Sequence, residues 1–131
     1  MCQSRLFLLR KWKSSTSRDM SKDLNSFVEF WPYYVCEHSK SSTRLLHFIG
    51  TLSILPVVIS SLLINYYLLC LVPVCAYGFA WFSHFCIEKN RPATFTYPIW
   101  SLIGDFRMFW FMCLGKMTEE VTRCKKLRST A

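Results

Sequence analysis

The sequence predicts an all-α membrane protein, built as an antiparallel transmembrane helical hairpin with interfacial or re-entrant helices beside it. Three observations predict this class. Apolar residues make up 52% of the 131, more than a soluble domain of this size can easily hide. Two uncharged apolar runs, 45–64 and 66–86, are 20 and 21 residues long and are separated only by Asn65; each is long enough to cross hydrocarbon as a helix. The basic residues, 16 Lys and Arg against 8 Asp and Glu, flank those runs. They form no groove-reading helix or ribbon, so the lipid bilayer is the expected partner and nucleic acid is not.

Residues 1–26 read as a basic N-terminal extension. Arg5, Arg10, Lys11, Lys13 and Arg18 all precede the first acid, Asp19. Its expected state is a disordered cationic segment against anionic lipid; the alternative is a mitochondrial transit peptide, which shares this serine-rich, acid-poor composition. Residues 27–115 read as the membrane-embedded domain and 116–131 as a basic C-terminal tail. Within the domain, "SFVEFWPYYVCEH" (26–38) reads as a short interfacial helix, because Trp and Tyr favour the headgroup level. Pro32 fits near its start or at a break. A polar loop, "SKSST", follows at 39–43. Pro56 and Pro73 are expected to kink the two long runs, and Gly50 and Gly78 to let their surfaces approach closely. The third run, 99–115, carries Asp105 and Arg107; charges are costly at bilayer depth. An interfacial or re-entrant third helix keeps both basic ends on the cytosolic side, as the positive-inside bias prefers.

Seven cysteines, an odd number, occur without any Cys-x-x-Cys pair. That spacing predicts no structural zinc and a reduced, cytosol-facing chain, not a disulfide scaffold.

The hairpin makes a geometric prediction about the three histidines. His47 lies 18 residues before Asn65 and His84 lies 19 after it. At about 1.5 Å per residue each stands roughly 27–29 Å from the tip, at nearly equal depth. His38 falls outside the span on the same side, so His38, His47 and His84 can converge at the cytosolic mouth. Converging neutral imidazoles suit a divalent transition metal. Glu88, four residues after His84, Glu37, next to His38, and Asp105 could complete such a site. Three histidines plus a carboxylate, or two and a carboxylate, with open positions, suit non-haem Fe(II) and oxygen chemistry; no thiolate set supports zinc, and haem ligation by His47 and His84 is a further option. Taken singly, a histidine at a membrane boundary is more often an interface residue, and Glu88, Lys89 and Arg91 can be a solvated rim. A non-catalytic membrane adaptor or lipid-binding hairpin is the alternative to an enzyme.

"FWPYYVCEHSKSSTRLLHFIGT" and "YGFAWFSHFCIEKNRPATFTYPIWSLIGDFRMF" resemble the Mpo-type family of small membrane proteins, the 2-hydroxy fatty acid dioxygenases. The resemblance runs from about Phe27 to Gly115. It is carried by Tyr34-x-x-x-His38, by His47 with Gly50, and by His84-x-x-x-Glu88 followed by Arg91-Pro92-Ala93. It implies an Fe2+-dependent dioxygenase of the endoplasmic reticulum membrane that uses O2 to shorten a long-chain 2-hydroxy fatty acid by one carbon, as in the breakdown of the sphingolipid base phytosphingosine. It implies His38, His47 and His84 as metal ligands. The yeast-type family has four such histidines and this chain has three, which leaves a fourth ligand to a carboxylate, water or substrate. On this reading Glu88 and Arg91 are catalytic, Arg44, Arg91 and Tyr34 bind substrate, and Glu37 and Asp105 orient the imidazoles.

Overall fold

The computed structural model describes residues 24–129. The readings made for residues 1–23, including the transit-peptide alternative, lie outside the described residues. Among the described residues, five α-helices account for most of the length: α1 (Phe27–Glu37), α2 (Ser41–Leu63), α3 (Leu71–Phe82), α4 (Pro98–Cys113) and α5 (Met117–Ser129). A 3₁₀ turn at Tyr66–Cys70 leads into α3 and a π-helical turn at Ser83–Glu88 continues it. No strand occurs among the described residues.

Two helices, Ser41–Leu63 and Tyr66–Glu88, are long and apolar enough to cross a membrane. Only 17% of each is buried within the fold, whereas the core helix of a soluble protein is mostly buried. Leu55, Leu62, Leu63, Val74 and Phe82 all face outward. Pro56 is carried inside α2 without ending it, and Pro73 falls in the first turn of α3, nearer the helix start, where proline is better tolerated. Of the two glycines expected to permit close approach, only Gly50 does so. A Cβ on Gly50 would lie 3.0 Å from the Cys75 carbonyl oxygen and 3.2 Å from Phe79 Cβ, whereas one on Gly78 would meet nothing within 4 Å.

The expectation that α1 displays its aromatics to a headgroup layer is not met. Ser26 caps the helix, its Oγ accepting from the Glu29 amide at 3.3 Å, and Phe30, Trp31, Tyr33, Tyr34, Val35 and Cys36 are all buried. The reason is that α4 and α5 cover them. Phe30 meets Tyr97 and Trp100 at 5.6 and 5.7 Å between ring centroids. Trp31 donates its indole N–H to Glu120 Oε2 at 2.7 Å, and Met117, Val121 and Cys124 of α5 join the same core. The residues read as a basic tail therefore include a docked helix.

The reduced-cysteine reading also needs correction. Cys36 and Cys124 form a disulfide, with Cα atoms 5.8 Å apart and 88 residues between them in sequence. Docking α5 on α1 creates this pair, and no local spacing announces it. Cys70, Cys75, Cys86 and Cys113 are free thiols.

The third apolar run becomes α4, with Pro98 in its first turn, where proline is favoured. Its charged residues face protein. Arg107 lies over the Trp31 ring at 4.4 Å and near Phe111 and Phe27 at 5.4 and 5.7 Å. Asp105 turns toward α1 and α2, into the site described next.

Candidate metal centre

Three helices each bring one histidine to a single buried point. His38 ends α1 as its C-cap, His47 stands on the second turn of α2, and His84 stands in the π-helical turn. Their exposures are 1%, 5% and 2%. His38 Nε2 lies 3.2 Å from His47 Nε2 and 3.1 Å from His84 Nε2, and the three candidate ligand atoms all lie within 4.8 Å of one another. The rings are mutually near-perpendicular, with interplanar angles of 85°, 80° and 87°.

Every outer nitrogen is occupied. His38 Nδ1 meets the Tyr34 carbonyl oxygen, His47 Nδ1 meets Asp105 Oδ1, and His84 Nδ1 meets Asn90 Oδ1, each at 2.7 Å. The Asn90 orientation is fixed because its Nδ2 donates to Glu37 Oε2 at 2.7 Å and to the Glu37 carbonyl at 3.2 Å. All three partners are acceptors. Each imidazole therefore carries its proton on Nδ1, and the three Nε2 lone pairs point inward at one another. Facing lone pairs without a shared proton repel, and a cation at their centre reverses the sign. Ligands about 2.1 Å from a metal and set at right angles stand ~3.0 Å apart; two of the three separations, 3.1 and 3.2 Å, match this, and with the set reaching 4.8 Å across, His47 and His84 would draw together around an ion. Burial first, and then the neighbouring His47 and His84, hold His38 well below its ordinary pKa, so it stays a neutral ligand. The residues present thus fit a divalent metal ion.

A family model described as "2-hydroxy-palmitic acid dioxygenase Mpo1-like" matches residues 24–117. The chain belongs to the Mpo1-like family. Neither a curated protein nor a solved structure matches it. The matched stretch contains all three histidines, Asn90 and Asp105, and it ends as α5 begins.

In this Mpo1-like chain the other candidate residues fall into three groups. Asp105 and Glu37 lie behind the histidines: Asp105 accepts from His47, and Glu37 reaches His84 through Asn90. Tyr34, expected to bind substrate, lies there too. It is 1% exposed, its hydroxyl donates to Asp105, and its ring stacks on His38 at 4.1 Å. Arg44 and Glu88 secure the chain where α1 passes into α2. Arg44 Nη1 donates to the carbonyls of His38 and Ser39 at 2.9 and 2.7 Å. Glu88 Oε1 accepts the Lys40 amide at 2.9 Å, and Glu88 is not one of the three clustered residues. Arg91 is exposed, its guanidinium over the Phe95 ring at 5.5 Å, while Pro92 and Ala93 beside it are buried.

Asn90 is the residue that sequence reasoning missed. A regular helix would place the residue four after His84, Glu88, on its face. The π-helical turn is wider, so that register fails. At its end Lys89 adopts a left-handed conformation, φ 58°, and the chain doubles back until the Asn90 amide bonds the His84 carbonyl at 3.1 Å. The side chain then lies against the His84 ring six residues away. The signal was present only as an asparagine just before Arg-Pro, a turn composition.

Asn90→Ala should weaken metal binding by about 10–100-fold, the usual cost of losing an orienting partner. It removes both the oxygen that accepts from His84 Nδ1 and the N–H that donates to Glu37 Oε2. Chelator competition measures the effect, and unchanged affinity would show that His84 does not need this partner.

Proposed function

We propose that this chain is an Fe2+-dependent dioxygenase of the endoplasmic reticulum membrane that shortens long-chain 2-hydroxy fatty acids by one carbon, the α-oxidation step of phytosphingosine breakdown. The reaction balances without an added reductant: R–CH(OH)–COOH and O2 give R–COOH, CO2 and H2O. The observation that carries the reading is the convergence of three buried Nε2 atoms whose Nδ1 atoms are all tied to acceptors. The family description supplies the substrate class.

Ferrous iron held by His38, His47 and His84 would supply the one-electron chemistry that lets dioxygen attack a closed-shell substrate. Three imidazole ligands would leave positions for both reactants. The protein's own contribution is to hold the ligands neutral and oriented in a site shielded from water. The Nη1 group of Arg44 is spent on backbone carbonyls, but its Nε–Nη2 edge remains and matches a carboxylate bidentately. Arg44 and the exposed Arg91 are therefore the cations proposed to receive the substrate carboxylate.

The two long helices cross the membrane as a hairpin that turns at Asn65, with both termini cytosolic. The approach of His47 to His84, and of Gly50 to Cys75 and Phe79, supports this pairing. The outward apolar faces of the pair would lie in lipid and give the acyl chain its route to the histidines.

The test uses protein purified without oxygen, loaded with Fe(II), mixed with a long-chain 2-hydroxy acid and exposed to air. Mass spectrometry should find the acid one carbon shorter. Iron-loaded protein that yields no such acid would reject the activity and leave a lipid-binding hairpin as the better account.

A further inference from the structure

The three imidazoles are held from behind by acceptors of different strength. His38 faces a backbone carbonyl, His84 an amide oxygen and His47 a carboxylate, all at 2.7 Å. A carboxylate draws the Nδ1 proton hardest and leaves most negative charge on its ring, which strengthens Nε2 as a donor. His47 is therefore the strongest of the three ligands.

Its carboxylate is not free to act alone. Asp105 Oδ1, the oxygen that accepts from His47, also accepts from the Tyr34 hydroxyl. Two donors on one oxygen share its charge, so the phenol draws off part of what Asp105 offers to His47. The arrangement is rigid. Tyr34 lies between Trp31, at 5.8 Å, and His38, at 4.1 Å, in a stack of rings. Gly104 lies against it, leaving no room for a side chain: a Cβ there would come within 3.0 Å of the Tyr34 ring. Tyr34 also accepts His38 Nδ1 on its own carbonyl. One residue thus touches the outer side of two of the three arms.

We propose that Tyr34 and Asp105 are positioning residues that set the redox potential of the bound metal, Asp105 by strengthening His47 and Tyr34 by moderating Asp105. The inference rests on the three-histidine iron site proposed above. Stronger donation stabilises the ferric state and lowers the potential; weaker donation raises it. The two residues therefore act with opposite sign, which a role in folding alone would not produce.

The experiment measures the Fe(III)/Fe(II) midpoint potential of the full chain in detergent by spectroelectrochemistry, together with iron content. Asp105→Asn should raise the potential, because a neutral amide replaces the carboxylate. Tyr34→Phe should lower it, because Asp105 then serves His47 alone. Asp105→Glu keeps the charge and should stay close to the parent value. Shifts of the same sign in Asp105→Asn and Tyr34→Phe, or no shift in variants that retain iron, would overturn the proposal. If Asp105→Asn loses its iron, Tyr34→Phe decides: a fall supports the proposal, and a rise or no change overturns it. A parent chain that takes up no iron would instead reject the metal site itself.

Discussion

His38→Ala should abolish metal retention while leaving the helices in place. His38 is the shared neighbour in the cluster, with its Nε2 3.2 Å from that of His47 and 3.1 Å from that of His84. Removing it leaves two imidazoles facing a buried void. Structural zinc in zinc-finger peptides binds with apparent energies of about 10–16 kcal/mol, and ferrous iron binds a given site more weakly. One ligand in three then accounts for several kcal/mol, a loss in affinity of about 10³-fold or more. The fold should survive, because Arg44 holds this turn through the backbone carbonyls of His38 and Ser39, not through the imidazole. Metal analysis should fall from one ion per chain to none detectable, and circular dichroism should remain helical. A variant that kept its metal would remove His38 from the ligand set, and the dioxygenase reading would lose its centre.

What could be read from the sequence depended on how far each feature reaches along the chain. The two long apolar runs needed only their own composition, and the structure carries them as the two span-length helices. The near-equal spacing of His47 and His84 from Asn65 needed only helical rise. Asp105 stood out because a charge within an apolar run must find a partner, and it meets His47 and Tyr34. Features made by docking were not legible. The aromatics of α1 look like a headgroup belt until α5, some 80–90 residues later, is laid over them. The same docking brings Cys36 to Cys124. The choice between Glu88 and Asn90 turned on a π-helical turn and one left-handed lysine, and neither follows from periodicity. Gly50 and Gly78 look alike in sequence, yet only one lies against another helix.

That last contrast gives the second large effect. Gly50→Leu should destabilise the protein and also empty the metal site. The nearest obstacles to a side chain at this position are the Cys75 carbonyl oxygen, at 3.0 Å from a Cβ, and Phe79 Cβ, at 3.2 Å. The first is helix backbone and cannot rotate aside, so the two helices must separate. Overpacking of this kind costs about 1–3 kcal/mol. The larger consequence is geometric. His47 lies three residues before Gly50 on α2, and His84 lies five after Phe79 on the facing helix, so a wedge here moves the two ligands apart. Metal–ligand distances tolerate only about 0.2 Å, so a shift that the fold absorbs still breaks coordination. Gly78→Ala is the control. A Cβ there meets nothing within 4 Å, and replacing a mid-helix glycine should stabilise by about 0.5–1 kcal/mol. Thermal unfolding and metal content should therefore both fall in Gly50→Leu, while in Gly78→Ala the first rises slightly and the second is unchanged. If Gly50→Leu bound metal as the parent does, the contact between these helices would not set the spacing of the histidines, and that task would pass to the bonds behind the rings at Asp105 and Asn90.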